Sequence, residues 1–299
     1  MDRLASMSVL VAVAESGSLS AASRKLGIPL ATVGRRISDL ESHLRTQLFS
    51  RDSRSLTLTI AGQAYFAACK RILEDITEAE RAASGEYTAP KGHLLITAPI
   101  VLGRTHVLPI AIEFLKAYPD VDIRLVLADR VLNLLEEHLD LAVRIGVLPD
   151  SSLVAHKVGQ IRHVVCASPT YLANRGIPES PEDLASHDCI TFDGLASPDA
   201  WRFVRDKSET WISIHSRLVV NTAEAAIDAA IDGIGITRVL SYSVADAVKA
   251  GALVVVLEQF EPTPWPVSLV RRSQLPLALK LRAFIDFAAP RLKTMLVSG

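Results

Sequence analysis

The chain has 299 residues, 49% of them hydrophobic and 22% charged, with a formal net charge of −1. That length allows two or three compact units with sizeable cores, and that composition excludes a disordered or collagen-like chain. No run reaches the roughly 18 apolar residues of a membrane span, and Cys69, Cys166 and Cys189 have neither disulfide-framework nor metal-ligand spacing.

The opening stretch, MDRLASMSVLVAVAESGS, carries Asp2 and Arg3 and an apolar run broken by serine. It does not read as a secretion signal, so a cytoplasmic protein with reduced thiols is expected, with no membrane association. Charge is spread unevenly: residues 1–59 hold eight Lys/Arg against five Asp/Glu, a net +3, and the other 240 residues carry −4. A basic head on an acidic body suits one part that faces DNA and another that avoids it.

Leu4, Met7, Leu10, Val11 and Ala14 line one face of a helix over 2–15 that Gly17 ends. Ser18 stands at the N-cap position of a short second helix carrying Leu19, Ala22 and Leu26 inward, and Gly27 breaks it. Ile28-Pro29 opens a third helix, on which Val33, Ile37, Leu40 and Leu44 repeat at four, three and four residues. Its other face shows Thr32, Arg35, Arg36, Asp39 and His43.

A short helix, a Gly-containing turn and a longer helix with a basic outer face make the helix-turn-helix pattern. The second helix of the pair must enter the major groove, so its exposed N-terminal half needs groups that reach bases or phosphates, as Thr32, Arg35 and Arg36 do. A plain helical hairpin with a solvated charged face fits these helices equally well. The stretch 48–62, LFSRDSRSLTLTIAG, then reads as a wing: a small hairpin that sets Arg51 and Arg54 on phosphate or in the minor groove, with Thr59 placed to cap the next helix.

The segment 21–62 resembles the N-terminal signature of LysR-type transcriptional regulators. Ala21-Ala22, Leu26, Val33, Ile37, Leu40-Glu41, Leu48-Phe49, Arg51, Arg54, Leu58-Thr59 and Ala61-Gly62 fall in step with it. The resemblance implies DNA contacts from Ser18, Arg24, Pro29, Leu30, Thr32, Arg35, Arg36, Arg51 and Arg54. It also shows departures. Pro29-Leu30 replaces the polar pair common at the entrance of the recognition helix, Gly34 stands where Ser is frequent, and Arg45 where Gly often follows the helix.

Residues 60–83 lack proline, and Tyr65, Cys69, Ile72, Ile76, Ala79 and Ala83 form a heptad stripe on a long linker helix. A partner helix from a second subunit is the economical cover for that stripe, hence a homodimer; family resemblance extends this to a homotetramer. SGEYTAPKG, residues 84–92, reads as a hinge.

From Lys91 strands and helices alternate. Strands are predicted at HLLITAP, VDIRLVLAD, DLAVRI, IRHVVCAS, CITFDG, GIGITRV and VSLVRR, and helices over 105–117, VLNLLEEHL (131–139), Thr222 to Asp232 and 276–296. This half resembles the two-lobed, periplasmic-binding-protein-like α/β effector domain of the same regulators. The expected organisation is therefore a multi-domain α+β chain: a winged helix-turn-helix at 1–59, a linker helix and hinge at 60–90, and an effector-binding domain at 91–299. Within the last, one lobe takes about 91–160 with 266–299 and the other about 161–265.

Open α/β sheets bind ligands in the crevice beyond their strand ends. The candidates are loop residues there: Ala98, Pro99, Ile100 and Val101; Arg144, Ile145 and Gly146; Thr191, Phe192 and Asp193; Asn221 and Thr222; Thr237 and Arg238. Helix N-termini with Arg144 or Arg238 suit a carboxylate, though a structural ion pair is the commoner role for either arginine. The apolar Pro99-Ile100-Val101 suits an aromatic effector. No P-loop, Gly-x-Gly-x-x-Gly, HExxH or Gly-x-Ser-x-Gly is present, so neither an enzyme nor a bound cofactor is expected. An exported solute-binding protein would share the two-lobed body but not the basic head.

Overall fold

The computed structural model describes residues 2–52, 55–84, 89–148, 152–192, 200–273 and 277–297. The chain divides into two units, Met1–His93 and Leu94–Gly299.

In the first unit, α1 (Arg3–Ser16) is capped by Asp2, whose carboxylate accepts the Ala5 N–H at 3.1 Å, and ends at Gly17, φ +68°. α2 (Leu19–Leu26) is capped by Ser18 and ends at Gly27, φ +67°. Both glycines adopt the left-handed geometry that closes a helix without a Cβ clash. α3 (Leu30–Leu44) begins after Pro29, which has no side chain to cap it, and ends at Arg45 in the left-handed region, φ +51°. The spacing of Val33, Ile37 and Leu40 turns all three into a core with Val9, Leu10, Val13, Ala22, Leu48 and Phe49. Each such burial stabilises by about 1.5–3 kcal/mol.

The hairpin of β1 (Phe49–Asp52) and β2 (Ser55–Leu58) sets Phe49 opposite Leu58. It is fastened to α3 by Glu41, whose Oε1 accepts the N–H groups of Leu48 at 2.8 Å and Phe49 at 3.1 Å. Thr59 caps α4 (Ile60–Ser84), its Oγ1 accepting the Gly62 N–H at 2.9 Å. A Cβ on Gly62 would lie 2.9 Å from the Leu48 carbonyl carbon, so only glycine fits there. Cys69 and Tyr65 pack the start of α4 into the head core. Further along the stripe Ile72 is 37% exposed.

The second unit holds two five-stranded sheets. Lobe I is built from β3 (Gly92–Ala98), β4 (Val121–Leu127), β5 (Leu141–Ile145), β6 (Leu153–Ile161) and β14 (Trp265–Arg272), in the order β4-β3-β5-β14-β6. Its core joins α6 (Leu108–Ala117) and α10 (Leu279–Val297) to the sheet through Phe114, Phe284, Ala288 and Leu292.

Lobe II contains β7 (His163–Ala167), β8 (Cys189–Phe192), β11 (Ser216–Val220), β12 (Ile236–Leu240) and β13 (Val254–Val256), in the order β11-β8-β12-β7-β13. One face carries α7 (Pro169–Arg175) and the hairpin of β9 (Ala200–Arg205) and β10 (Ser208–Ser213), through Tyr171, Trp201 and Phe203. The other carries α8 (Ala223–Ile231) and α9 (Ser241–Lys249), through Ala226, Ala230 and Val244. The chain crosses between the lobes twice, at Arg162 and over residues 257–264.

Two expectations are corrected. Residues 131–139 form turns and no helix. Asn133 Oδ1 takes the Leu135 N–H at 2.9 Å, a local bond that competes with helical pairing, and His138 turns left-handed at φ +54°. Leu132, Leu134 and Leu139 are buried against Ala142 and Val270 from that turn geometry instead. The helix expected from residue 105 starts earlier, as α5 (Ile100–Leu102), and passes through a π turn (Gly103–Val107) into α6. Pro99 sits before its first residue, a position that needs no N–H.

Candidate functional site

α3 begins with Leu30, 49% exposed, and its outer face carries the partly exposed Thr32 and Arg36 and the exposed Arg35. Thr32 and Arg36, four residues apart, share one face. Arg24 on α2 and Pro29 are also exposed. Among the described residues none of Arg24, Arg35 and Arg36 enters an ion pair, whereas Lys25 and Lys70 both reach Glu15, at 2.8 and 3.3 Å. Ser18 is committed to its own helix: its hydroxyl accepts the Ala21 N–H at 3.1 Å. Arg51 stands in β1 opposite Leu56, and Arg54 lies outside the described residues. Gly34 occupies the middle of α3, where glycine costs about 1 kcal/mol relative to alanine.

In the second unit several nominated residues belong to elements rather than loops. Ala98 ends β3 and is buried, while Ile100 and Val101 form the first turn of α5, Ile100 exposed and Val101 buried. Thr191 and Thr237 are fully buried inside the lobe II sheet. Thr191 bonds Ser216 at 2.6 Å, and Thr237 donates to the Ile190 carbonyl at 3.1 Å. Arg144 donates to the Leu132 carbonyl, and burial lowers its pKa. Arg238 shares with Ile236 the sheet face that carries β9, and its guanidinium lies 5.9 Å from the Phe203 ring. Burial first, and Arg202 second, pull its pKa down to about 10. Ile145 and Phe192 are partly buried, and Asn221 is exposed beside Thr222, which caps α8 by accepting the Ala225 N–H at 3.3 Å. Gly146 has φ +104°, a backbone geometry that favours glycine, and a Cβ there would only touch the Trp265 ring, at 3.6 Å. Asp193 lies outside the described residues.

The structure gathers a different set across the lobes. Tyr242, in the first turn of α9, packs against the lobe I core and meets the His106 ring edge-on at 5.8 Å. Its pKa rises to about 12, mainly because it is buried. Hydrogen bonds to Ser243 and to the Leu102 backbone work the other way, and Asp129 and Glu224 add to the rise. Asp129 accepts the Ile100 N–H at 3.0 Å, so the positive end of α5 already holds a carboxylate. Burial lowers the His106 pKa, and its Nδ1 lies 2.7 Å from the Thr105 hydroxyl. The nominated Ile100, Val101 and Thr222 lie on the elements that surround Tyr242, but Tyr242, His106 and Asp129 themselves were missed. The signal was there for Tyr242: a Ser-Tyr pair where a strand ends and a helix starts, as at the other candidates. Among the described residues no group of His, Cys, Asp and Glu is arranged to hold a metal, and no helix is long and apolar enough to cross a membrane.

A three-helix head with a wing and a basic helix face, in one chain with a two-lobed α/β body, defines a helix-turn-helix transcription regulator with a ligand-binding body. Residues 4–63 match the bacterial regulatory helix-turn-helix protein of the lysR family, and residues 88–293 match the LysR substrate binding domain. The chain belongs to the LysR family of transcriptional regulators, in which a small-molecule effector modulates a DNA-binding protein. It is 34% identical over 289 residues to an HTH-type transcriptional repressor of Pseudomonas aeruginosa (strain UCBPP-PA14), covering 96% of this chain and 91% of that one. It is 30% identical over 286 residues to the HTH-type transcriptional activator AaeR of Escherichia coli (strain K12), covering 96% and 93%. Among solved structures, CrgA from Neisseria meningitidis, a LysR-type transcriptional regulator, matches with a TM-score of 0.62 and 31% identity over 96% of this chain and 98% of that one.

Proposed function

We propose that this chain is a cytoplasmic, non-enzymatic regulator that acts as a homodimer, assembled further into a homotetramer, on double-stranded promoter DNA. Its parts are the winged head at 1–59, the linker at 60–90 and the effector-binding domain at 91–299. The observation that carries this reading is the outer face of α3, where Thr32, Arg35 and Arg36 stand clear of the core and neither arginine has an ion-pair partner among the described residues. Arg24, Arg51 and Arg54 would hold flanking phosphates, which position the helix without reading sequence. The exposed Ile72 on α4 favours a second copy as the cover of that stripe.

The effector, a small carboxylate or aromatic compound, binds between the lobes near Ile100, Val101 and Tyr242. A carboxylate has to replace Asp129 at the Ile100 N–H, and a ring can lie along the apolar edge. The effector switches the protein only through unequal affinity for two arrangements of the assembly. The test is a DNA-shift titration with the full chain and with Arg35→Ala. The variant is expected to bind about tenfold more weakly with a salt slope lower by about 1. Unchanged binding and slope would refute the placement of α3.

A further inference from the structure

Gly34 has no structural reason within the head. It is helical, and a Cβ placed on it would meet no atom within 4 Å among the described residues. Gly62 shows the contrast, since there the Leu48 backbone forbids any side chain. An alanine at position 34 would favour the helix and collide with nothing in the head, so whatever needs the bare backbone lies outside the fold of that unit. Leu30 poses the matching question. It is the first residue of α3, one helical turn before Gly34 and on the same face, and 49% of it is exposed. Leu30 borders the side of the helix that Val33, Ile37 and Leu40 bury, but it is not among the residues packed into that core.

We propose that Leu30 and Gly34 form the base-reading seat of α3, in which Leu30 packs against the C5-methyl group of a thymine and Gly34 lets the groove edge come up to the helix backbone. The proposal rests on reading α3 as the helix that enters the major groove. There thymine is the base that presents a methyl group, and apolar side chains are its partners. The neighbouring Arg35 and Arg36 supply the charge that brings the helix to DNA, and they leave the adjacent apolar strip free to discriminate.

The experiment uses the full chain and an operator selected by it from randomised duplexes, with affinity read by fluorescence anisotropy at fixed salt. Gly34→Ala is expected to raise the melting temperature of the head by several degrees and weaken operator binding about tenfold, while binding to mixed-sequence duplex stays unchanged. Replacing thymine by uracil one position at a time should reveal a site where loss of the methyl weakens the wild type about fivefold and leaves Leu30→Ala unaffected. Gly34→Ala binding the operator as well as the wild type does, or uracil tolerated at every position, overturns the seat. A wild type that binds neither duplex overturns the seat together with the reading of α3, and is recognised by that wider loss.

Discussion

Glu41 and Leu48 are joined by a 2.8 Å hydrogen bond from the Leu48 N–H to the Glu41 carboxylate, and the same oxygen takes the Phe49 N–H. One side chain of α3 thereby fixes where the wing starts, and the wing arginines follow from it. Glu41→Ala leaves two partly buried N–H groups without an acceptor. Charge-assisted bonds of this kind are worth about 1.5–3 kcal/mol, so the head should lose about 2 kcal/mol, with Glu41→Gln losing less. Urea unfolding of the full chain checks this, and an unchanged midpoint for Glu41→Ala would refute the clasp.

His163 gives the chain an acid-sensitive element. Burial, then the charges of Arg238 and Arg202, push its pKa down to about 3 from the ordinary 6.5 of histidine. Between those two values the unfolded chain holds a proton that the folded one refuses. The stability is therefore complete above about pH 6.5 and is lost as the pH falls toward 3. The slope approaches 1.4 kcal/mol per pH unit, or about 2 kcal/mol at pH 5. His163→Gln should flatten the melting temperature between pH 7 and 4.5. Parallel curves for variant and wild type would contradict it.

Tyr242→Phe removes the hydroxyl that reaches the Leu102 backbone from the other lobe. A bond of this kind contributes about 0.5–1.5 kcal/mol. Amide exchange across residues 100–107 should accelerate roughly three- to tenfold if that energy governs local opening. Exchange at wild-type rates would show that the hydroxyl contributes nothing to holding the lobes there.

All three cysteines are buried, and burial pushes Cys166 and Cys189 up to about 12 and raises Cys69 as well. Thiolate being the reactive form, the native chain should take up no iodoacetamide at pH 8 and three equivalents after unfolding. Rapid labelling of the native chain would show that one of these thiols is accessible.

The head was readable because its signals are local: Ser18 and Gly27 bracket one helix, and Val33, Ile37 and Leu40 mark the buried side of the next. The clasp by Glu41 was not readable, since its partners lie seven and eight residues away, where the hairpin begins. In the body, strand alternation decided the outcome. Thr237 and Arg238 follow one another in β12 and so point to opposite faces, one toward the Ile190 carbonyl and one toward Phe203. The 131–139 stretch has helix-like apolar residues, but Asn133 and Asp140 bind backbone N–H groups, at Leu135 and Leu95, and hold it as turns. Tyr242 and His106 are far apart in sequence, and no periodicity connects residues across two lobes.

Arg162 is the only residue between β6 and β7, and its Nη1 lies 3.1 Å from Glu261 and 3.3 Å from Glu258 on the returning strand connection. The two passages of the chain from one sheet to the other are thus bound side by side, like the leaves of a door on one pin. A change in how the two lobes sit would have to turn about that fastening or break it.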